Sequence, residues 1–344
     1  MRVSLLSAFC RSSAAASVDC REQDAAGATV GADSVVTIGN FDGVHRGHQA
    51  LLIAARQEAE RLQKRFVAVT FEPHPREFFA PQSAVNFAPK RISTLRDKLA
   101  ALAACGVEQT YVLRFTQALA AMSAERFIDE ILVNRLHAQQ VWVGDDFRFG
   151  AQRAGDYGLL QRVGLTQGFS THTLPTVSDA GGRISSSAVR SALAKGDVAR
   201  ATALLGRPLC VSGHVLHGQK LGRTLGFPTL NLRLAARAGH ARHGQRHWQP
   251  AAQGIFVVQV HGLAAQPIQG VASLGRRPTV EEDGRYLLEV YLFNWDRQVY
   301  GKLVQVELLH QLREEEKYID LPTLQTAIAQ DVANAQAWLA SQDK

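Results

Sequence analysis

Hydrophobic and polar positions change rhythm once along this chain. From Ser34 to about Gly206, short apolar runs alternate with stretches in which apolar residues recur every three or four positions. "SVVTIGNF" (34–41), "FVAVTF" (66–71), "TYVLRF" (110–115), "QVWVG" (140–144) and "THTLP" (171–175) read as buried strands. "HQALLIAARQEAERLQKR" (48–65), "STLRDKLAALAAC" (93–105) and "SAERFIDEILVNRL" (123–136) read as amphipathic helices. Ser93 or Thr94 is the expected cap of the second helix. Alternation of this kind predicts a parallel sheet covered on both faces, with ligands beyond the carboxyl ends of its strands.

After about Arg207 the period becomes two. "CVSGHVLHG" (210–218), "GIFVVQVHG" (254–262), "IQGVASLG" (268–275), "YLLEVYLFNW" (286–295) and "KLVQVELLHQL" (302–312) are β-rich runs split by Gly and Pro. One amphipathic helix, "LPTLQTAIAQDVANAQAWLA" (321–340), ends the pattern. This half reads as a small antiparallel barrel or sandwich with a terminal helix. The junction falls in 194–210, giving an expected first domain over 33–200 and a second over 204–342. Residues 1–32 are set aside as a poorly defined extension that only faintly imitates a signal peptide.

Composition narrows the partners. The chain has 344 residues, 38 Lys and Arg against 31 Asp and Glu, a net charge of +7 and a pI near 9.4. That excess suits anionic ligands but is scattered, not gathered into a tail. Cys10, Cys20, Cys105 and Cys210 make no CxxC pair, which argues for a reducing compartment and against structural zinc. No apolar run reaches membrane-spanning length. His240, His243 and His247 lie in a polar, basic stretch (235–253) that reads as an exposed loop, since no Cys or acidic ligand joins them.

Four stretches of the first half carry chemistry. "GNFDGVHRGH" (39–48) follows a strand and opens a helix. Gly39, Gly43 and Gly47 allow close backbone approach, the helix start attracts phosphate, and His45 and His48 can donate hydrogen bonds to phosphoryl oxygens. Two surface histidines at a helix start are the plainer account. "ISSSAVR" (184–190) places Ser185, Ser186 and Ser187 before a second helix with Arg190 one turn inside; a simple Ser cap would use only one of them. "TFEPHP" (70–75) and "VGDDFRFG" (143–150) end two further strands.

In the second half, "GQKLGRTLGFPTLNL" (218–232) lacks the Walker pattern. Gly226 and Pro228 shape the chain before Thr229 and Asn231, two apart and so on one side of an extended strand. Together they offer a hydroxyl and an amide oxygen to a hard cation. A plain Gly/Pro hairpin is the alternative. Glu289 stands inside a β run, either facing solvent or serving as a general base.

These motifs, in this order over roughly 34–340, resemble the bifunctional riboflavin kinase/FAD synthetase family of bacteria. The resemblance implies a Rossmann-like nucleotidylyltransferase domain with an HxGH motif, followed by a small β-barrel riboflavin kinase domain. It further implies that ATP phosphorylates riboflavin to FMN in the barrel and adenylylates FMN to FAD in the first domain, with Mg²⁺ present. By the same resemblance, His45 and His48 steady the triphosphate; Gly39, Asn40, Phe41 and Gly47 line its cradle; Ser186, Ser187 and Arg190 hold outer phosphates. Phe71 and His74 help shape the flavin site, and Asp146 lies near the nucleotide or the flavin. Gly226, Pro228, Thr229 and Asn231 match the kinase signature GxPTxN, with Thr229 and Asn231 placing the metal and Glu289 activating the ribityl hydroxyl. Departures are Ser187 where Thr is frequent, Leu230 for Ala, and Ser273 and Arg276 where Asn and Thr are frequent.

A single-activity enzyme, or a non-catalytic RNA-binding protein, would be the competing readings. The intact motif residues weigh against the first. Against the second, the barrel strands lack paired exposed aromatics for base stacking. The expectation is therefore a cytoplasmic protein, a monomer or weak homo-oligomer, with small-molecule substrates and no nucleic-acid or membrane partner.

Overall fold

The computed structural model describes residues 1–7, 33–80, 88–218, 222, 225–234, 249–276 and 286–342. The three histidines of the 235–253 stretch lie outside them. Two compact units emerge, one of residues 1–89 and 98–184, the other of residues 90–97 and 185–344. The division thus falls before the helix that carries Ser186, earlier than the expected junction at 194–210.

The first unit is built on a six-stranded sheet: β1 (Arg2–Ser7), β2 (Ser34–Ile38), β3 (Arg65–Glu72), β4 (Gln109–Arg114), β5 (Ala138–Gly144) and β6 (Ser170–Leu174). Their order is β1-β4-β3-β2-β5-β6, with every pairing parallel. Alternate residues feed opposite faces. Val35, Phe66 and Ala68 join one apolar cluster with Leu52 and Ala55 of α1 (Arg46–Leu62). Val36, Ile38, Val67 and Val69 join the other. Covering both faces is what makes these strands apolar throughout. The order in which strands are added reverses between β2 and β5, so the switch point lies just past the end of β2.

Two sequence expectations need correction. Residues 1–32 are not wholly outside the fold: Arg2–Ser7 forms an edge strand in six-residue register with β4. Only Arg2 to Leu5 alternate polar and apolar, a pattern too short to mark a strand on its own. The stretch 123–136 is not one α-helix either. After α5 (Ala124–Phe127) it widens into a π-turn over Ile128–Val133, where the N–H of Asn134 reaches Asp129 O and that of Leu136 reaches Ile131 O. The wider turn brings Ile128, Ile131, Leu132 and Leu136 together into one core cluster.

The second unit begins with α7 (Ser186–Ala194) and α8 (Val198–Leu205). Then comes a closed antiparallel barrel of β9 (Leu209–Leu216), β10 (Thr229–Arg233), β11 (Gly254–His261), β12 (Ile268–Arg276), β13 (Tyr286–Leu292) and β14 (Leu303–Arg313). The strands run β10-β13-β12-β11-β14-β9, and β9 returns to β10. Phe256, Val258 and Leu288 are buried toward the interior. Ile255, Val257 and Val271 point outward and pack under Ala335 and Trp338 of α9 (Leu321–Gln342). A bidentate ion pair from Arg313 Nε and Nη2 to Asp331, at 2.8 and 2.7 Å, ties that helix to β14. Closure removes the unpaired edges that a six-stranded open sheet would leave.

Candidate functional site

The loop after β2 is tightly wound. Gly39 donates its N–H to Val69 O at 3.0 Å, and Val44 donates back to Phe41 O at 3.3 Å. Phe41 and Val44 adopt left-handed backbone, φ 47° and 42°. A non-glycine residue there costs about 1–2 kcal/mol. Phe41 and Val44 are both fully buried, and burying each such side chain contributes about 1.5–3 kcal/mol, enough to hold the two left-handed residues.

The loop delivers His45 as the N-cap of α1. Its Nδ1 accepts the backbone N–H of His48 at 3.3 Å. Because Nδ1 is an acceptor, the neutral ring carries its hydrogen on Nε2, which is thereby a donor. The helix starts at Arg46, two residues before the apolar pattern, because a histidine caps it. His45 and His48 stack at 3.7 Å between centroids, 19° apart, and the Phe41 ring meets His48 edge-on at 5.2 Å. Gly47 is needed for closeness: a Cβ there would lie 3.2 Å from the His45 ring and 3.3 Å from the Ile184 carbonyl. No acidic residue occupies the first turn of α1, although Asp42 is buried in the loop before it.

The carboxyl end of β3 presents aromatics. Phe71, Phe78 and Phe79 all contact Phe115, with centroids 5.3 to 6.0 Å apart. Phe79 is 40% exposed. Sequence reading found Phe71 and missed Phe78, Phe79 and Phe115; the signal was "PREFF" directly after the Pro-stiffened loop. His74 is buried and caps α2 (Pro75–Phe79), its Nδ1 accepting from Arg76 N–H at 3.1 Å while Glu77 accepts from the His74 N–H. Asp146 is exposed and paired at 2.7 Å with Arg183, which also lies 3.7 Å from Asp145. Arg183 went unremarked in the sequence, and its ion pair is what picks it out.

In the second unit, Ser185 is the residue that caps α7, its Oγ accepting from Ala188 N–H at 3.2 Å. Ser186 and Ser187 therefore occupy the first turn, where no acidic residue opposes an anion. Arg190 is pinned by its Nε, which donates to Lys90 O at 2.7 Å.

On the barrel, cross-strand register does the assembly. Asn231 stands opposite Glu289, Glu289 opposite Ser273, and Thr229 opposite Tyr291. Alternation puts Glu289 on the outer face, the same face on which Val271 meets α9. Asn231 is only 7% exposed on that outer face, and its amide nitrogen approaches Thr229 O at 3.4 Å. Ser273 donates to Glu315 at 2.9 Å. Gly226, at φ +85°, makes the left-handed turn that Phe227 and Pro228 follow into β10. The Phe227 ring meets Tyr291 edge-on at 5.4 Å. A bulky ring floor, a buried amide and a carboxylate thus share two adjacent rungs of one sheet.

The comparisons with known proteins agree with this division. An FAD synthetase family model matches residues 28–188, and a riboflavin kinase model matches residues 205–339. The bifunctional riboflavin kinase/FMN adenylyltransferase of Escherichia coli strain K12 is 43% identical over 302 residues, 88% of this chain and 91% of that one. Its namesake from Pseudomonas fluorescens is 44% identical over 303 residues, 88% and 92% of the two chains. A crystal structure titled a macrolide-efflux protein of Streptococcus pneumoniae is 31% identical and superposes with a TM-score of 0.68 over 88% of this chain and 94% of that one. Among the described residues here, no helix is long and apolar enough to cross a membrane. With relatives of this identity matched along nearly their whole length, the chain belongs to the bifunctional riboflavin kinase/FMN adenylyltransferase family.

Proposed function

We propose that this protein makes FMN and then FAD, each step using ATP. In the barrel, the terminal ribityl hydroxyl of riboflavin attacks the γ-phosphorus of ATP; the bond to the β-phosphate oxygen breaks, and ADP leaves. Glu289 takes the hydroxyl proton. In the first domain, a phosphate oxygen of FMN attacks the α-phosphorus of a second ATP and pyrophosphate leaves. Neither step needs a covalent enzyme intermediate, so the protein's work is positioning and charge stabilisation.

In adenylyl transfer, the His45 Nε2 hydrogen and the His48 ring donate to phosphate oxygens as charge builds on them. Gly39, Asn40, Phe41 and Gly47 form the cradle, while Ser186, Ser187 and Arg190 hold the outer phosphates. Phe71 forms a flavin wall with Phe78, Phe79 and Phe115. Asp146 trades its Arg183 partner for ligand contacts, and His74 sets the course of the chain beside that wall. On these roles adenylyl transfer would occupy 33–200 with β1 added and the kinase 204–342, a functional boundary later than the compact-unit boundary before Ser185.

Mg²⁺ fits the kinase donors, because Thr229 and Asn231 present neutral oxygens from one face of β10. This ion takes few protein oxygens and completes its shell with phosphate and water. It would offset phosphate charge there, with Gly226 and Pro228 shaping the loop that admits the nucleotide. The partners are riboflavin, FMN, FAD and ATP; the setting is the cytoplasm, as a monomer or weak homo-oligomer without nucleic acid.

The observation that carries the reading is the opposition of Asn231 and Glu289 on one rung, alongside a separate stacked His45–His48 pair at a helix start. Incubation with riboflavin, ATP and Mg²⁺ tests it: chromatography should show FMN first and FAD after it. No flavin turnover would overturn it.

A further inference from the structure

Lys98 is a buried cation that the chemistry above does not use. It lies on α3 (Leu95–Ala104) and is fully buried. A lysine taken out of water is costly to the fold unless its ammonium is hydrogen-bonded, so its contacts carry information. One of them is the Thr70 hydroxyl of β3, at 3.4 Å from Nζ. The Thr70 hydroxyl in turn donates to the backbone carbonyl of Asn40, at 3.1 Å.

The direction of this chain is set by chemistry. An ammonium has hydrogens to give and no lone pair, so Thr70 Oγ1 must accept from Lys98. Its own hydrogen is then committed to Asn40 O. The residues just before them add a backbone contact, since Gly39 N–H donates to Val69 O at 3.0 Å. Two consecutive loop residues are thus fastened to two consecutive residues of β3, immediately before the left-handed Phe41.

We infer that Lys98 and Thr70 form a positioning relay for adenylyl transfer, holding the Asn40 carbonyl so that the strained loop presents His45 and His48 in register. The relay rests on the adenylyl-transfer reading of the first unit. It touches no substrate. Its effect is on the orientation of groups that do, and small misplacements at such groups cost large factors in rate.

The test uses the full chain with FMN and ATP for the relay, and riboflavin phosphorylation in the same preparation as the reference for folded protein. Thr70→Val keeps the shape and removes the hydroxyl. It should lower kcat for FAD formation about tenfold or more while leaving KM for both substrates within about twofold. Thr70→Ser restores the hydroxyl and should restore kcat. Lys98→Met should fall at least to the level of Thr70→Val, and the double variant no further than Lys98→Met alone, because Thr70 acts within the chain that Lys98 begins.

Thr70→Val with parental kcat, Thr70→Ser as slow as Thr70→Val, or multiplicative losses in the double variant would each overturn the relay. If Lys98→Met does not fold, the Val and Ser pair at position 70 decides alone. A parent protein that makes no FAD would instead count against the adenylyl-transfer reading itself.

Discussion

Asp97 sits at the first turn of α3, where Thr94 Oγ1 donates to its carboxylate at 2.6 Å and Ser212 N–H reaches it at 3.3 Å. Burial pushes its pKa above the ordinary 3.8, and outweighs the hydrogen bonds and the Arg96 charge that pull it down. The ionised form is therefore disfavoured in the folded state. Stability from this residue is complete below the ordinary carboxylate range and is lost as pH rises through the raised value. Asp97→Asn, which keeps the acceptor, should melt higher than the parent at pH 7.5 and match it near pH 3, by calorimetry at both. Cys210 lies in the same environment: burial, with the Glu307 and Asp97 charges adding to it, pushes the thiol up to about 12, so it should resist thiol reagents. At this scale the sequence showed which residue types were unusual but not their partners. His45 and His48 were legible as a pair at a helix start because their spacing is local. That His45 also caps the helix, or that Ser185 and not Ser186 caps the next, depends on backbone angles at one position. Lys98, Arg183 and Phe115 were invisible because each acts with a residue 28 or more positions away.

At the scale of elements, glycine positions separate two kinds of requirement. At Gly226 a Cβ would meet nothing within 4 Å, so Gly226→Ala carries only the cost of the left-handed turn. That cost is about 1 kcal/mol, and the turn feeds Thr229 and Asn231. Kinase KM for ATP should rise with little change in FAD formation from supplied FMN. At Gly47 the backbone is ordinary and the space is short. A Cβ pressed against the His45 ring and the Ile184 carbonyl must move one of them. Gly47→Ala should therefore lower FAD formation by about tenfold, the lesser loss expected when the His45 ring shifts by only a fraction of the ~1 Å that costs about 100-fold, with a small change in Tm. The periodicities predicted the β/α and β-rich halves because both rest on strong, short-range alternation. They did not reveal the π-turn at 128–133, since its apolar spacing also fits an α-helix, and only the packed core selects the wider form. β1 was overlooked because six residues at a terminus pair with a strand more than a hundred positions on.

For the whole molecule, the central expectation is that two chemistries are carried by separate residues, one set at the start of α1 and the other on the outer wall of the barrel. Glu289→Gln keeps the shape of the side chain and its register with Asn231 while removing the base. FMN formation should fall about 100-fold or more, and conversion of supplied FMN to FAD should continue at the parental rate. His48→Ala should reverse the pattern, cutting FAD formation about 100-fold and sparing riboflavin phosphorylation. With riboflavin as the sole flavin, the first variant should accumulate neither product and the second should stop at FMN, so one chromatogram distinguishes them. On the proposed roles the two steps differ in chemistry: Glu289 would take a proton from an alcohol, whereas FMN would enter adenylyl transfer as a phosphate already ionised at neutral pH, so the second step has no use for the base that the first requires. Folded Glu289→Gln protein that had lost both reactions would mean that the two sets of residues serve a single site.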